Sequence, residues 1–210
     1  MKTKYHIEIT KKALSDQFTE EALEDVIQGN IRQDKIKNQF GHDYIHFDGS
    51  AFTAGFCYLK QQEQDIIDHL KNDHFTAARL AFGRVTHSWQ DFFSHSNYVR
   101  LWREKAGSPP PEEIVINDPT IMEHPELKSG KNYGVIEFLA LIPPFSKWIE
   151  PIMPEDSHAR MNLDSPERGE YFAYAYHAAL KQTVKAFQEL MILFQSKELT
   201  QEKVRSFLGK

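Results

Sequence analysis

The chain has 210 residues, a formal charge of −5, ten histidines and a single cysteine, Cys57. That length suits one domain, residues 1–210, able to bury a core without staples. The mild negative charge argues against stable binding to duplex nucleic acid or non-specific binding to an anionic membrane. One cysteine excludes an intramolecular disulfide and any cysteine-rich zinc site, so a metal site here has to be built from His and carboxylate.

The opening Met1-Lys2-Thr3-Lys4 runs into a polar amphipathic segment with no apolar leader, and no run of 18 apolar residues follows. This reading points to a soluble, cytoplasmic protein; a chain trimmed of a leader would look the same. Tyr5 to Leu14 reads as a helix with Thr3 as its cap and Ile7, Ile9 and Leu14 on the apolar side. A second helix starts at Thr19-Glu20-Glu21 and is expected to end at Gly29-Asn30. Residues 31–50 have no clean period and carry Asp34, His42, Asp43, His46 and Asp48, which marks a loop rich in ligand-type side chains. Cys57 to Leu70 resumes a helical pattern, and His74 to Trp102 reads as one long helix or a helix with one break.

From Ala106 to Pro154 the composition turns to proline and glycine, over a length that suits an ordered wall more than a linker. Within it, Val135 to Ile142 is compatible with a short helix or a strand. Its apolar run suits core packing, or contact with a lipid surface together with Phe145 and Trp148. Ser165-Pro166 reads as the start of a long helix to about Gln195, and Thr200 starts a last short one. Nearly every periodic segment is helical. The expected class is all-α: a single-domain helical bundle with a central helix and a long Pro-rich loop wall.

That central helix carries the chemistry. His87, Asp91 and His95 stand at i, i+4 and i+8. Each four-residue step turns only about 40° around a helix, so all three project from one face over two turns. Two imidazoles and a carboxylate stacked in this way suit a divalent first-row cation, Zn2+ above all. Val85, Trp89, Phe92 and Phe93 occupy the other faces and need a core. Core histidines with Asp91 as their partner would produce the same pattern. The number of further candidates favours a metal: His6 on the first helix, Asp34 and His46 on the first loop, and His158 with Asp164 before the last long helix. Eight His and Asp side chains from four segments are about what two adjacent zinc ions require, with a third ion possible in the count.

The run Thr86-His87-Ser88-Trp89-Gln90-Asp91-Phe92-Phe93-Ser94-His95-Ser96-Asn97-Tyr98 resembles the signature of the zinc-dependent phospholipase C superfamily, closest to its heterokaryon-incompatibility C branch. His6-Ile7-Glu8-Ile9-Thr10, Asp34 followed by Ile45-His46-Phe47-Asp48, and His158 with Asp164 are similar to other elements of that superfamily, in the same order. The resemblance implies an all-helical fold and one zinc held by Asp34, His46, His87 and Asp91. It implies a second zinc held by His95 and His158 with Asp164, and a third ion between His6 and Asp91. The chain departs from the secreted phospholipases in starting with Met rather than Trp, and in spacing His158 and Asp164 six apart rather than four.

On this reading the protein is a phosphodiester hydrolase, phospholipase C-like or nuclease-like. A metal-bound water with its pKa lowered toward about 7 would be the nucleophile, with Asp34 and Asp91 as catalytic carboxylates. The substrate would be a phospholipid or a nucleotide, walled by Phe92, Phe93 and Tyr98, with transient membrane-surface contact as one consequence. Outer partners of the histidines are sought among backbone carbonyls and Asp43, Asp48 and Asp156. Two alternatives stand beside it. One is an HD-type phosphohydrolase built on His42-Asp43. The other is a metal-bearing interaction or structural protein that performs no reaction.

Overall fold

The structure is a computed structural model that describes residues 1–35, 41–134, 136, 139 and 146–210. Among the described residues every long element is a helix, and strand-like pairing is limited to two isolated bridges, Ser96 with Ser129 and Lys131 with Ser157. The all-α class therefore holds. The helices are α1 (Thr3–Leu14), α2 (Glu20–Ile31), α3 (Phe52–Lys71), α4 (Phe75–His95), α5 (Tyr98–Ala106), α6 (Tyr171–Ser196) and α7 (Gln201–Leu208), joined by one-turn helices and 3-10 turns. No helix among the described residues is long and apolar enough to cross a membrane.

Helix α4 is the axis of the molecule, with α2, α3 and α6 packed around it and α1 laid across α2 and α6. From Gly83 onward almost every position of α4 is buried, whatever its polarity. A helix enclosed on all sides must satisfy its polar side chains internally, so the imidazoles and amides on α4 are forced to find partners in the protein. Two glycines let α2 approach closely. A Cβ on Gly29 would run into the carbonyl of Leu80, and one on Gly83 into the carbonyl of Val26. Gly29-Asn30 therefore does not stop α2: the helix continues through both to Ile31, Gly29 serves the crossing, and Asn30 is buried against α4.

Other boundaries shift for local reasons. Thr3 lies inside α1, whose cap position is Lys2, with no side-chain cap. Thr19 and Thr200 do cap, accepting from the backbone N–H of Ala22 and Lys203. The long segment around the central motif breaks at Ser96-Asn97, where Ser96 is extended and Asn97 binds the backbone of Glu126 and Lys128. Ser165-Pro166 opens a separate 3-10 turn, and Gly169, at φ +93°, separates it from α6.

The Pro-rich stretch is packed rather than dangling as far as it is described. Ile114 and Ile121 are buried, Lys181 donates to the Ile114 carbonyl, and the Tyr174 hydroxyl donates to Pro109. Its later part forms the seat of His158, through Gly130 N–H to His95 O (2.9 Å) and His158 N–H to Lys131 O (3.0 Å). The apolar run Val135 to Ile142, with Phe145, lies mostly outside the described residues; Ile136, Leu139 and Trp148 are exposed. Residues 36–40 of the first loop also lie outside them.

Phe92, Phe93 and Tyr98 do not wall a binding site. All three are fully buried in an aromatic cluster with Phe47, Phe52, Phe56 and Trp89. Each buried ring contributes roughly 1.5–3 kcal/mol, and the Tyr98 hydroxyl is used up donating to Val115 O and accepting from Asp118 N–H.

Candidate metal centre

The geometry starts with Asp91, fully buried on α4. Its Oδ2 lies 2.8 Å from His46 Nδ1 and 2.9 Å from His87 Nε2. Its Oδ1 lies 3.2 Å from His6 Nε2, 3.7 Å from His95 Nε2 and 2.7 Å from the Met1 nitrogen. Asp34, at the end of a 3-10 turn after α2, brings Oδ1 to 3.7 Å from His87 Nε2 and accepts from the Thr3 hydroxyl. His6, Asp34, His87 and Asp91 thus offer ligand atoms all within 4.8 Å of one another. His46 borders this group, with Nδ1 3.1 Å from His87 Nε2.

A second group adjoins it. Asp48 Oδ1 lies 2.9 Å from His158 Nδ1 and 3.2 Å from His95 Nδ1, and these three also offer ligand atoms within 4.8 Å. Asp164 Oδ1 sits on the opposite edge of His95, 3.2 Å from Nε2 and 2.9 Å from the Met1 nitrogen. The structure therefore brings all eight His and Asp candidates into one region, but groups them differently from the implied sets. His6 stands in the first group, and Asp48 rather than Asp164 stands between the two imidazoles of the second. Of the outer partners sought in sequence, Asp156 accepts from Tyr133 instead. His42-Asp43 lies in neither group, with His42 Nδ1 turned to the Tyr44 hydroxyl at 3.2 Å.

Phe47 explains how one short segment serves both groups. It adopts the left-handed region at φ +57° between the turns Asp43–His46 and Asp48–Ser50, with its ring fully buried. A non-glycine residue held there costs on the order of 1–3 kcal/mol and persists only where surrounding packing enforces it. Here the ring sits 5.1 Å from Phe56 and 5.3 Å from Phe92. The reversal sends His46 to Asp91 and Asp48 to His95 and His158.

The electrostatics are those of a site rich in carboxylate. No lysine or arginine among the described residues pairs with Asp48, Asp91 or Asp164; their charged partners are imidazoles and the Met1 nitrogen. Burial alone would raise the Asp91 carboxyl, but the Met1 amine with His87, His95 and His6 holds it well below the usual range. Asp164 is held down in the same way, burial being outweighed first by the Met1 amine and then by His95. For Asp48, burial is outweighed by His158 and His95, which lower its carboxyl. Among the imidazoles, burial dominates at His87 and pushes it down to about 4 despite Asp91. At His46 and His95 burial is overcome by their acidic neighbours, chiefly Asp91, and both are raised.

The donor set fits a borderline divalent cation. His6 Nδ1 lies 2.6 Å from the side-chain amide oxygen Oε1 of Gln90, and His87 Nδ1 lies 3.3 Å from the side-chain amide oxygen Oδ1 of Asn30. A carbonyl oxygen only accepts, so both rings carry hydrogen on Nδ1 and turn Nε2 toward Asp91. The buried Nε2 atoms of His6 and His46 have no hydrogen-bond partner among the described residues. The Nε2 atoms of His6 and His87 face Asp91 oxygens in a dry interior, an arrangement that a bound cation would reconcile.

Sequence spacing offered no route to Asn30 or Gln90. Asn30 reads as a helix stop, and Gln90 as one polar residue in a motif with stronger claimants. Asp48 had a weak signal, since it and His46 flank a phenylalanine in His46-Phe47-Asp48.

Residues 2–118, more than half of the chain, match the family model described as the VWA7 N-terminal domain. The rat von Willebrand factor A domain-containing protein 7 is 31% identical over 80 residues, covering 38% of this chain and 9% of the rat protein. The human protein of the same name is 28% identical over 119 residues, covering 53% of this chain and 13% of its own length. The chain thus spans about a tenth of the length of the curated relatives it matches. No solved structure matches.

These findings overturn the assignment to the zinc-dependent phospholipase C superfamily, and with it the reading as a phosphodiester hydrolase. The relatives are named for a von Willebrand factor A domain and not for a hydrolase. The physical reason is that His and Asp at i, i+4, i+8 on a buried helix are compatible with cation binding, which structural and catalytic centres share, and so do not specify a reaction. The chain belongs to the VWA7 N-terminal domain family.

Proposed function

We propose that this domain is a metal-bearing helical module, with zinc as the resident ion, that serves as a structural or interaction unit and performs no reaction of its own. The observation that supports it is the facing of buried imidazole nitrogens and carboxylate oxygens around Asp91, His87 Nε2 at 2.9 Å and His6 Nε2 at 3.2 Å. His6, Asp34, His87 and Asp91, bordered by His46, would hold one cation; Asp48, His95 and His158, bordered by Asp164, would hold another. A cation so held supplies positive charge among four carboxylates. It also ties α1, the first loop, α4 and the segment before α6 to one point. Loop closure of that kind stabilises by restricting the unfolded chain, as metal-coupled folding does in small structural sites.

The test is elemental analysis of protein purified without chelators, followed by thermal melting with and without a chelator. The expected result is about two zinc per chain, a marked fall in melting temperature when zinc is withdrawn, and no turnover of bis-p-nitrophenyl phosphate by the loaded protein. Protein that carries no metal and melts identically in chelator would overturn the metal-bearing part. Zinc-dependent turnover would overturn the non-catalytic part.

A further inference from the structure

The hydrogen bonds behind the Asp91 group have a direction, and it can be followed outward from the imidazoles. The Thr86 hydroxyl donates to the Gly83 carbonyl at 2.8 Å, so its oxygen is left to accept from Asn30 Nδ2 at 2.9 Å. The Thr183 hydroxyl donates to the Ala179 carbonyl at 2.8 Å and likewise accepts from Gln90 Nε2 at 3.1 Å. A hydroxyl has one proton to give, and in each case a helix carbonyl takes it. The two amides are therefore fixed nitrogen-out and oxygen-in. Asn30 Nδ2 also donates to Gln90 Oε1 at 3.1 Å, and Gln90 Nε2 donates to Thr10 at 3.2 Å, which locks the pair together. All five residues, Thr10, Asn30, Thr86, Gln90 and Thr183, are fully buried.

Each amide oxygen then meets a ring nitrogen, Asn30 Oδ1 at His87 Nδ1 and Gln90 Oε1 at His6 Nδ1. We propose that Asn30 and Gln90 are positioning residues that fix both rings as Nδ1–H tautomers and so select a nitrogen-preferring divalent cation, zinc or cobalt, over magnesium or calcium. This rests on the metal-bearing reading of the site and deepens it. The chain of donors ends on backbone carbonyls of α4 and α6, which cannot reverse. The lone pairs at Nε2 are thereby aimed at the site before any ion arrives. Magnesium and calcium take oxygen ligands and leave imidazole lone pairs unused, whereas zinc and cobalt bind them well. Partners behind a ligating histidine typically change metal affinity about 10–100-fold when removed.

The test uses the full chain, isotope-labelled and stripped of metal, with long-range proton–nitrogen NMR of the imidazoles, then titration with Zn2+, Co2+, Mg2+ and Ca2+. Both His6 and His87 should report hydrogen on Nδ1. Gln90→Leu should lower Zn2+ and Co2+ affinity about 10–100-fold with little change for Mg2+ and Ca2+. Gln90→Glu, which keeps an acceptor at the same place, should recover most of the loss. If Gln90→Leu fails to fold, Thr183→Val removes only the outer anchor and should still mix the His6 tautomers. Hydrogen on Nε2 of either ring in the metal-free wild type, or wild-type Zn2+ affinity in a folded Gln90→Leu, overturns the selection while leaving a zinc-bearing domain. A wild type that binds no zinc overturns the metal-bearing reading and the selection with it.

Discussion

The two ligand groups share α4 yet are built on different supports. The Asp91 group stands mostly on helices: His6 on α1, His87 and Asp91 on α4, with Asn30 of α2 and Gln90 of α4 behind the rings and only Asp34 supplied by a 3-10 turn. The Asp48 group takes only His95 from a long helix; Asp48 sits in a 3-10 turn and His158 starts a one-turn helix. His6, His87 and Asp91 are enclosed and only Asp34, at 24%, is open to solvent, while Asp48 and His158 each keep 14% of their side chain exposed. Among the described residues no amide relay stands behind His158: its Nδ1 meets Asp48 directly. Helices with glycine-mediated close contact hold ligands in advance, whereas turns hold them only as well as their anchoring bonds allow. The Asp91 group is thus the preset one, and the Asp48 group depends on the seat made by Gly130 and Lys131.

The comparison breaks most severely at Asp91→Ala, which removes the carboxylate bordering both groups and leaves buried polar rings without their counter-charge. Loss of one partner from such a buried set costs about 3–5 kcal/mol. Denaturant unfolding should show that loss, and elemental analysis should show both zinc equivalents gone. If one equivalent survives, the two groups do not share Asp91.

Gly83→Ala sharpens the contrast from the side of the fold. A methyl there meets the Val26 carbonyl and pushes α2 from α4, at a cost of about 1–3 kcal/mol. It should weaken zinc at the Asp91 group by displacing Asn30, and leave the Asp48 group's zinc in place, read by competitive chelator titration. Equal weakening of both would mean that the groups do not differ in support.

His158→Ala attacks the turn-built group alone. One zinc equivalent should disappear with a smaller change in melting temperature than Gly83→Ala produces, since the side chain is partly exposed and Asp48 keeps His95 as a partner at 3.2 Å. The smallest effect is expected far from both groups. Asp118 accepts from Lys105 and caps the turn Pro119–Met122, and the Lys105 hydrogen bond first, with Thr120, lowers its carboxyl. A depressed carboxyl stabilises the fold above its unfolded value, and the contribution is lost as pH falls through and below about 3.9. Asp118→Ala should cost about 1 kcal/mol at neutral pH, less near pH 3, and leave zinc content unchanged. A change in zinc content would link the Pro-rich wall to the ligand groups.

Much of the architecture was legible in the linear pattern, since 3.6-residue periodicity and local capping are short-range: the helical class, the break after the central motif, and the caps Thr19 and Thr200 all follow from neighbours in sequence. The stacking of His87, Asp91 and His95 on one face is of the same kind. What chain order alone determined, then, was which residues could act as ligands and on what elements they ride. Only the tertiary structure decided how the ligands divide, because Asp48, His95 and His158 meet through a left-handed reversal at Phe47 and a distant seat at Gly130. It also decided the role of Asn30: a residue that reads as a helix stop becomes a buried partner of His87 because two glycines let α2 and α4 touch. Contacts between segments far apart in the chain depend on packing geometry, which no local spacing encodes.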